Sequence, residues 1–346
     1  MEIKKDVFGK TDEGKEAEIF TLSNDNGITA KVTSYGATLV SLEIPDKNGK
    51  AADILLGFET LDEYVKDLTF QGCTVGRCAN RILNGKFVLD GVEYTLATND
   101  GNNHLHGGVK GFNKMFWDAE SIQNDDSVGV KFTYLSEDGQ ENYPGNLAVT
   151  VIYTLTSADE LKIEYEAETD KKTIINLTNH SYYNLAGAGS GTILNHEMTI
   201  NADSYTETND ELLPTGQIKP VSGTDLDFTT PRVIGDRITN VKGGYDLNYV
   251  LNKEQPASMS FAARVVEPTS GRVMEVSTTE PGIQFYSSNF LDGLKGKAGN
   301  VYNQHDAFCL ETQHFPDSQN QPSFPSIALA PGQKYKHLTV HRFLVQ

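Results

Sequence analysis

"ELKIEYEAE", running from Glu160 to Glu168, puts Leu161, Ile163, Tyr165 and Ala167 on one side of an extended chain and Lys162, Glu164, Glu166 and Glu168 on the other. A strict period of two with one charged face predicts an antiparallel strand that packs one side on a core and wets the other. "NLAVTVIYTLTS", Asn146 to Ser157, repeats the pattern with Leu147, Val149, Val151, Tyr153 and Leu155. Working outward, similar runs predict strands over 27–44, 128–136, 197–202, 258–267, 271–279 and 306–312. Asn84-Gly85, Asp90-Gly91 and Asp138-Gly139 supply tight turns between short runs, and "GKFVLDGVEYTL" reads as a hairpin. Helical signals are sparse. "TLDEYVKD" has Thr60 and Glu63 at capping-box spacing but room for only two turns. Thr230-Pro231 is a second candidate helix start. No repeat, low-complexity segment or Pro/Ser-rich linker interrupts the chain. The fold expected is all-β: a large antiparallel β-sandwich of two or more packed sheets with a few short helices, one domain over 1–346. A length of 346 residues would fit two average domains, but large all-β folds often run as one.

With 47 acidic against 29 basic residues, the formal charge is -18. Such a surface repels phosphate backbones and anionic lipid, so neither nucleic acid nor membrane is an expected partner. A neutral small molecule is easier to accommodate than an anion. "MEIKKDVFGKTDEGKE" has no apolar stretch of the secretory kind, and the densest apolar patch, "ILLGF" at Ile54 to Phe58, is far too short to span a bilayer. Three cysteines, Cys73, Cys78 and Cys309, make neither a disulfide framework nor a paired zinc motif. These features predict a cytoplasmic protein with reduced thiols, a monomer or a weak homodimer.

Polar residues that break the strand rules gather in "GRCANRI", "NNHLHGG", "NLTNHSYYNL", "GGYDLNYV" and "CLETQHFPDS". Lined along one concave sheet, such groups make a binding cleft. Read as a strand, "IINLTNHSYYNLAG", Ile174 to Gly187, turns Asn176, Thr178, His180 and Tyr182 to one side and Ile175 and Leu177 to the core. His180 is then held among donors and acceptors. An imidazole, with an unperturbed pKa of about 6.5, suits proton transfer near neutral pH, although a structurally bonded ring fits the same pattern. Glu311 ends a predicted strand, on the same side as Cys309 and Gln313. It is either a solvated carboxylate or, if it meets His180 across a cleft, half of an acid–base pair. His104 and His106 would face one way on a strand and could bind a metal, but the longer zinc spacings are absent. Arg77, Arg81 and Asn80 suit hydroxyl or carboxylate recognition or a structural ion pair, and Asp246 falls on a predicted loop. "AGAGSG" at Ala186 to Gly191 lacks the spacing and helix of a nucleotide loop, and no Gly-x-Ser-x-Gly element is present.

Taken in order, "SYGATLVSLEIPDKNGKAADILLGF", "GRCANRI", "NHLHGG", "NLTNHSYYNL", "GGYDLNY", "TTEPGIQFYSSNF" and "ETQHFPDS" resemble the aldose 1-epimerase family over nearly the whole chain. The resemblance implies a β-sandwich of the supersandwich type, no cofactor and no metal. It also implies interconversion of the α and β anomers of free aldohexoses. It assigns Glu311 as general base and His180 as general acid. It assigns His106 to the ring-oxygen side of the sugar, with Arg81, Asn80, Asp246 and Gln284 as sugar-binding residues and Phe285 as an apolar wall. A hexose-6-phosphate 1-epimerase and a non-catalytic sugar-binding domain on the same scaffold are the alternatives.

Overall fold

The hairpin at the centre of the alternating pattern forms as its chemistry requires. In the computed structural model, which describes all 346 residues from Met1 to Gln346, Leu147–Thr156 and Glu160–Thr169 pair antiparallel. Leu161, Ile163, Tyr165 and Ala167 are buried, and the residues between them are half-buried or exposed. Burying each large apolar side chain contributes roughly 1.5–3 kcal/mol, and a one-residue slip would turn all four to water, so the register is fixed by the core. These two strands belong to a nine-stranded antiparallel sheet. Its spatial order is Asp118–Gln123, Ser127–Ser136, Leu147–Thr156, Glu160–Thr169, Tyr335–Val345, Arg272–Thr278, Ser260–Val266, Glu197–Ile200 and Arg232–Val233.

Two five-stranded antiparallel sheets accompany it. One is an N-terminal meander from Glu2–Lys10 to Ala51–Asp53. The other runs Pro214–Pro220, Ser204–Thr208, Asp246–Val250, Gly282–Tyr286, Cys309–Gln313. A single apolar cluster contains residues of all three sheets, among them Phe20 and Leu22, Val130 and Phe132, and Ile283, Phe285 and Leu310. In the last sheet the period of two separates polar from apolar rather than wet from dry, because Gly282–Tyr286 and Cys309–Gln313 are buried throughout. Ile283, Phe285 and Leu310 join the core, while Gln284 and Glu311, paired across the strands, line up on the opposite face.

Most local expectations hold and four are corrected. The "GKFVLDGVEYTL" hairpin pairs Leu89 with Val92, and Asp90 and Gly91 both have positive φ, +51° and +81°, as a two-residue turn demands. The one regular α-helix, Leu61–Lys66, carries the Thr60/Glu63 capping box. Thr230-Pro231 starts no helix: Arg232–Val233 joins the large sheet and is followed only by a 3-10 turn, Ile234–Asp236. The predicted strand over 27–44 breaks into Thr29–Thr33 and Thr38–Pro45. Positive φ at Gly36 and Ala37 turns the chain there, and Ala37 O accepts bonds from Thr74 Oγ1 and Tyr153 OH instead of a neighbouring strand. Asp246 is not on a loop but opens the strand Asp246–Val250. "IINLTNHSYYNLAG" is strand only at Thr173–Ile174 and Thr178–Asn179. Its polar side chains add to backbone pairing rather than replace it: the Asn176 backbone bonds Arg77 and Ala79 while its side chain exchanges two bonds with His314, and Asn179 Nδ2 donates to Gly72 O.

Candidate active site

The polar face of the Asp246–Val250, Gly282–Tyr286 and Cys309–Gln313 strands forms one wall of a cleft; loops around Phe70, Asn80, His106 and His180 close the rest. The space, including its open mouth, is about 630 Å³, within the range of small-molecule sites. Three non-glycine lining residues have left-handed backbones: Phe70 at φ +60°, Asn80 at +60° and His106 at +51°. Such conformations cost energy and persist where surrounding structure enforces them. Here the enforcement is close backbone contact. A Cβ on Gly107 would collide with the carbonyl of Gly76, so only glycine lets the His106 loop lie against the "GRCANRI" segment.

His180 is fixed on every side. Its backbone N–H donates to Cys73 O at 3.0 Å and its carbonyl accepts from Gly72 N–H at 2.9 Å. Its ring stacks on Tyr182 and Phe70, with centroids 5.1 and 6.1 Å apart, and meets the edges of His106 and Tyr286. Nδ1 faces the Cys309 thiol at 3.7 Å, which leaves Nε2 directed at Glu311 Oε1, 3.7 Å away. Burial pushes the imidazole down to about 4. Burial also raises the Glu311 carboxyl well above its ordinary value; Asp246 adds to the rise and Arg81 opposes it. Glu311 Oε2 is a buried acceptor in the cleft with no protein partner, which suits it to a ligand hydroxyl.

His106 Nδ1 accepts the Asn80 backbone N–H at 3.2 Å, which puts the ring proton on Nε2. Burial, then His180 and Arg81, hold its pKa well below the usual histidine value, so His106 is a neutral donor. Arg81 Nε donates to Asp100 Oδ2 at 2.8 Å, and Asn80 Oδ1 accepts the Arg81 N–H. Asp246 Oδ1 accepts from Gln284 Nε2 at 2.6 Å; its carboxyl is raised by burial, against the pull of Arg81 and Gln284. Arg81 is the single Arg or Lys lining the cleft.

The structure therefore brings together Glu311, His180, His106, Arg81, Asn80 and Asp246, with Gln284 behind Asp246. Three sequence candidates lie elsewhere. Phe285 faces the core, stacked on Tyr245 at 5.0 Å and edge-on to Phe228, so it is no wall of the cleft. Arg77 is buried and spends its guanidinium on the carbonyls of Ser136, Glu137, Pro144 and Gly145. His104 does not share a side with His106; its ring nitrogens bond Ala97 O and the Tyr143 hydroxyl, both at 2.6 Å. The apolar lining comes from residues not singled out in the sequence: Phe70, Tyr182, Tyr286, Leu291, and the exposed lips Leu68 and Phe290. Phe70 and Leu68 gave no signal because their role depends on a loop turn, whereas Tyr182 shared the predicted face of His180. Donor atoms of His106, His180 and Glu311 lie within 4.8 Å of one another, so this trio has the composition to hold a cation as well as to move protons.

Residues 18–342 match the sequence profile of the family described as aldose 1-epimerase. The chain is 46% identical over its full length to a galactose mutarotase of Sus scrofa, covering 99% of that protein. It is 36% identical to the aldose 1-epimerase of Escherichia coli K12, over 96% of this chain and 97% of that one. A crystal structure of galactose 1-epimerase from Lactobacillus acidophilus superposes with a TM-score of 0.87 at 29% identity, covering 99% of both chains.

Proposed function

The chain belongs to the aldose 1-epimerase family, and from that premise we infer that it is a mutarotase, interconverting the α and β anomers of free aldohexoses such as galactose and glucose. We read residues 1–346 as one catalytic domain working in the cytoplasm. The profile match over 18–342 and the core shared by its sheets support the single domain.

Anomers exchange only through the open chain. The O1 hydroxyl loses a proton, O5 gains one as the C1–O5 bond breaks, and the aldehyde turns about C1–C2 before the ring recloses. Two protons move, the C1–O5 bonding pair goes to O5 and no oxidation state changes, so two facing titratable groups suffice. Glu311 takes the O1 proton, and His180 delivers one to O5, with His106 Nε2–H beside the ring oxygen. The observation that carries this reading is the buried His180–Glu311 pair, 3.7 Å apart in the cleft. Burial favours the uncharged form of each, a protonated carboxyl and a neutral imidazole. Moving that one proton from Glu311 to His180 yields the carboxylate and imidazolium that ring opening requires, without exchange with water. A polar sugar, replacing the pair's lost hydration, stabilises the charged arrangement. General acid and base groups of this kind are each worth about 10²–10⁴ in rate.

Arg81, Asn80 and Asp246, the last held by Gln284, bind the hydroxyls away from C1, so the ring carbons are held while the aldehyde rotates. A hexose 6-phosphate is disfavoured by the charge of the cleft: Arg81, its single lining cation, is already paired with Asp100, and Asp246 and Glu311 are close by. Polarimetry with freshly dissolved α-galactose and α-glucose tests the reading, with hexose 6-phosphates and EDTA as further arms. Free sugars should relax far faster than the spontaneous rate, unchanged by EDTA. Sugar binding without acceleration would make the protein a binding domain, and preference for the phosphates would reassign its substrate.

A further inference from the structure

A second convergence of ligand-type side chains lies at the far ends of the strands that carry Gln284 and Glu311. Glu280 precedes Gly282–Tyr286, His314 follows Cys309–Gln313, and His337 sits in Tyr335–Val345. His314 Nδ1 is 2.7 Å from Glu280 Oε2, and His337 Nδ1 is 3.2 Å from Glu280 Oε1. The three donor atoms all lie within 4.8 Å of one another. None of the three residues lines the catalytic cleft. Three separate chain segments thus aim two imidazole nitrogens and one carboxylate at a common point.

We propose that Glu280, His314 and His337 form a binding site for a divalent transition metal of the zinc class. The donor set, two histidines and a glutamate, is one that zinc uses when a fourth position stays open. The spacing fits. Donors about 2.1 Å from a tetrahedral ion sit about 3.4 Å from each other; the imidazole nitrogens now stand closer, 2.7 Å from Glu280 Oε2 and 3.2 Å from Glu280 Oε1. Binding needs only a slight spreading of the side chains, as the ion replaces the protons now shared between nitrogen and oxygen. One outer contact is already in place. The Tyr335 hydroxyl donates to Glu280 Oε1 at 3.3 Å; Thr279 Oγ1, 3.3 Å from His337 Nδ1, touches the donor nitrogen itself and gives way when the ion binds. Partners such as Tyr335 orient the ligands of metal sites.

The site is reachable from solvent. The Glu280 side chain is 2% exposed, but those of His314 and His337 are 15% and 11% exposed. Both line a surface groove with Ile175, Leu329 and Gln333, through which an ion and a completing water can enter. Lys334 and Lys336 share that groove, so the Glu280 carboxylate draws in the cation against nearby positive charge. The consequence is mechanical: the ion would tie Tyr335–Val345 to the two strands that present Gln284 and Glu311.

The test uses chelator-stripped full-length protein titrated with zinc by calorimetry and with cobalt by visible absorption. The cleft trio His106, His180 and Glu311 is a competing site, so Glu311→Gln is the control. The expected result is one equivalent bound more tightly than about 1 mM, with visible cobalt bands and a raised melting temperature, in both wild type and Glu311→Gln. His337→Asn and Glu280→Gln should each weaken binding at least about tenfold; His337→Asn, at the edge of the groove, serves if Glu280→Gln does not fold. Absence of binding in the wild type, or binding lost in Glu311→Gln but kept in His337→Asn, would overturn the assignment.

Discussion

Replacing Glu311 by glutamine should stabilise this protein in a pH-dependent way. The Glu311 side chain is 3% exposed, and Oε2 has no partner. Burial and the neighbouring Asp246 raise its pKa in the folded state well above the ordinary glutamate value of about 4.5. The sign follows from proton counting. Between the unfolded and folded pKa values the folded protein holds a proton that the unfolded chain has lost. The contribution of Glu311 is therefore fully favourable below about pH 4.5 and is lost as pH rises through the folded value. Each pH unit across that window removes up to about 1.4 kcal/mol. Glutamine has no such proton to lose. For a chain of 346 residues, at ~2.1 cal/mol/K per residue, 1 kcal/mol corresponds to roughly 1–2 °C in melting temperature. Paired thermal unfolding scans of wild type and Glu311→Gln from pH 4.5 to 8.5 measure the gap. The melting curves should nearly coincide at the acid end and separate by a few degrees at the alkaline end, the variant higher. A constant gap, or a less stable variant at pH 8, would refute the claim that this carboxylate is stored at a cost to the fold.

The same substitution, and His180→Asn, should each lower mutarotation at least about a hundredfold by polarimetry while circular dichroism stays native; near-normal turnover would remove that residue from the proton path. The pH profile of kcat/KM should be bell-shaped, because the active pair holds one proton. Its acid limb belongs near 4, where burial puts His180, and its alkaline limb above the ordinary carboxylate range; an acid limb at about 6.5 would mean the imidazole is solvated. Arg81→Ala should raise KM about tenfold or more with a smaller effect on kcat, as a charge-assisted bond to a hydroxyl is lost. Arg77→Leu should do the reverse of a site mutation, losing at least about 3 kcal/mol in urea unfolding through orphaned buried carbonyls, with KM unchanged in the protein that folds.

Much of this was legible before any coordinates, for identifiable reasons. Alternation in Glu160–Glu168 is enforced by one wet face and one dry face, so it is written directly in residue type. Glu311 and His180 stood out because polar residues interrupt the strand pattern around them, and their roles were assigned by the family resemblance rather than by the local sequence. Phe285 went astray because, in a sheet buried on both faces, an aromatic next to a site residue points away from the site by the pleat alone. Reading Gln284 as cleft-facing assigns Phe285 to the core. Arg77 and Arg81 differ in what surrounds them, not in what precedes them: Arg77 caps carbonyls from a loop some sixty residues away in sequence. The left-handed turns at Phe70 and His106 depend on glycine contacts between distant segments, which no local pattern carries.

Most direct of all is the position of a bound sugar. A crystal structure with galactose should put O1 within hydrogen-bond reach of Glu311, about 2.6–3.2 Å, and O5 within reach of His180, with the other hydroxyls on Arg81, Asn80 and Asp246. A pyranose seated with its C1–O5 bond toward the lips at Leu68 and Phe290, out of reach of both groups, would contradict the account.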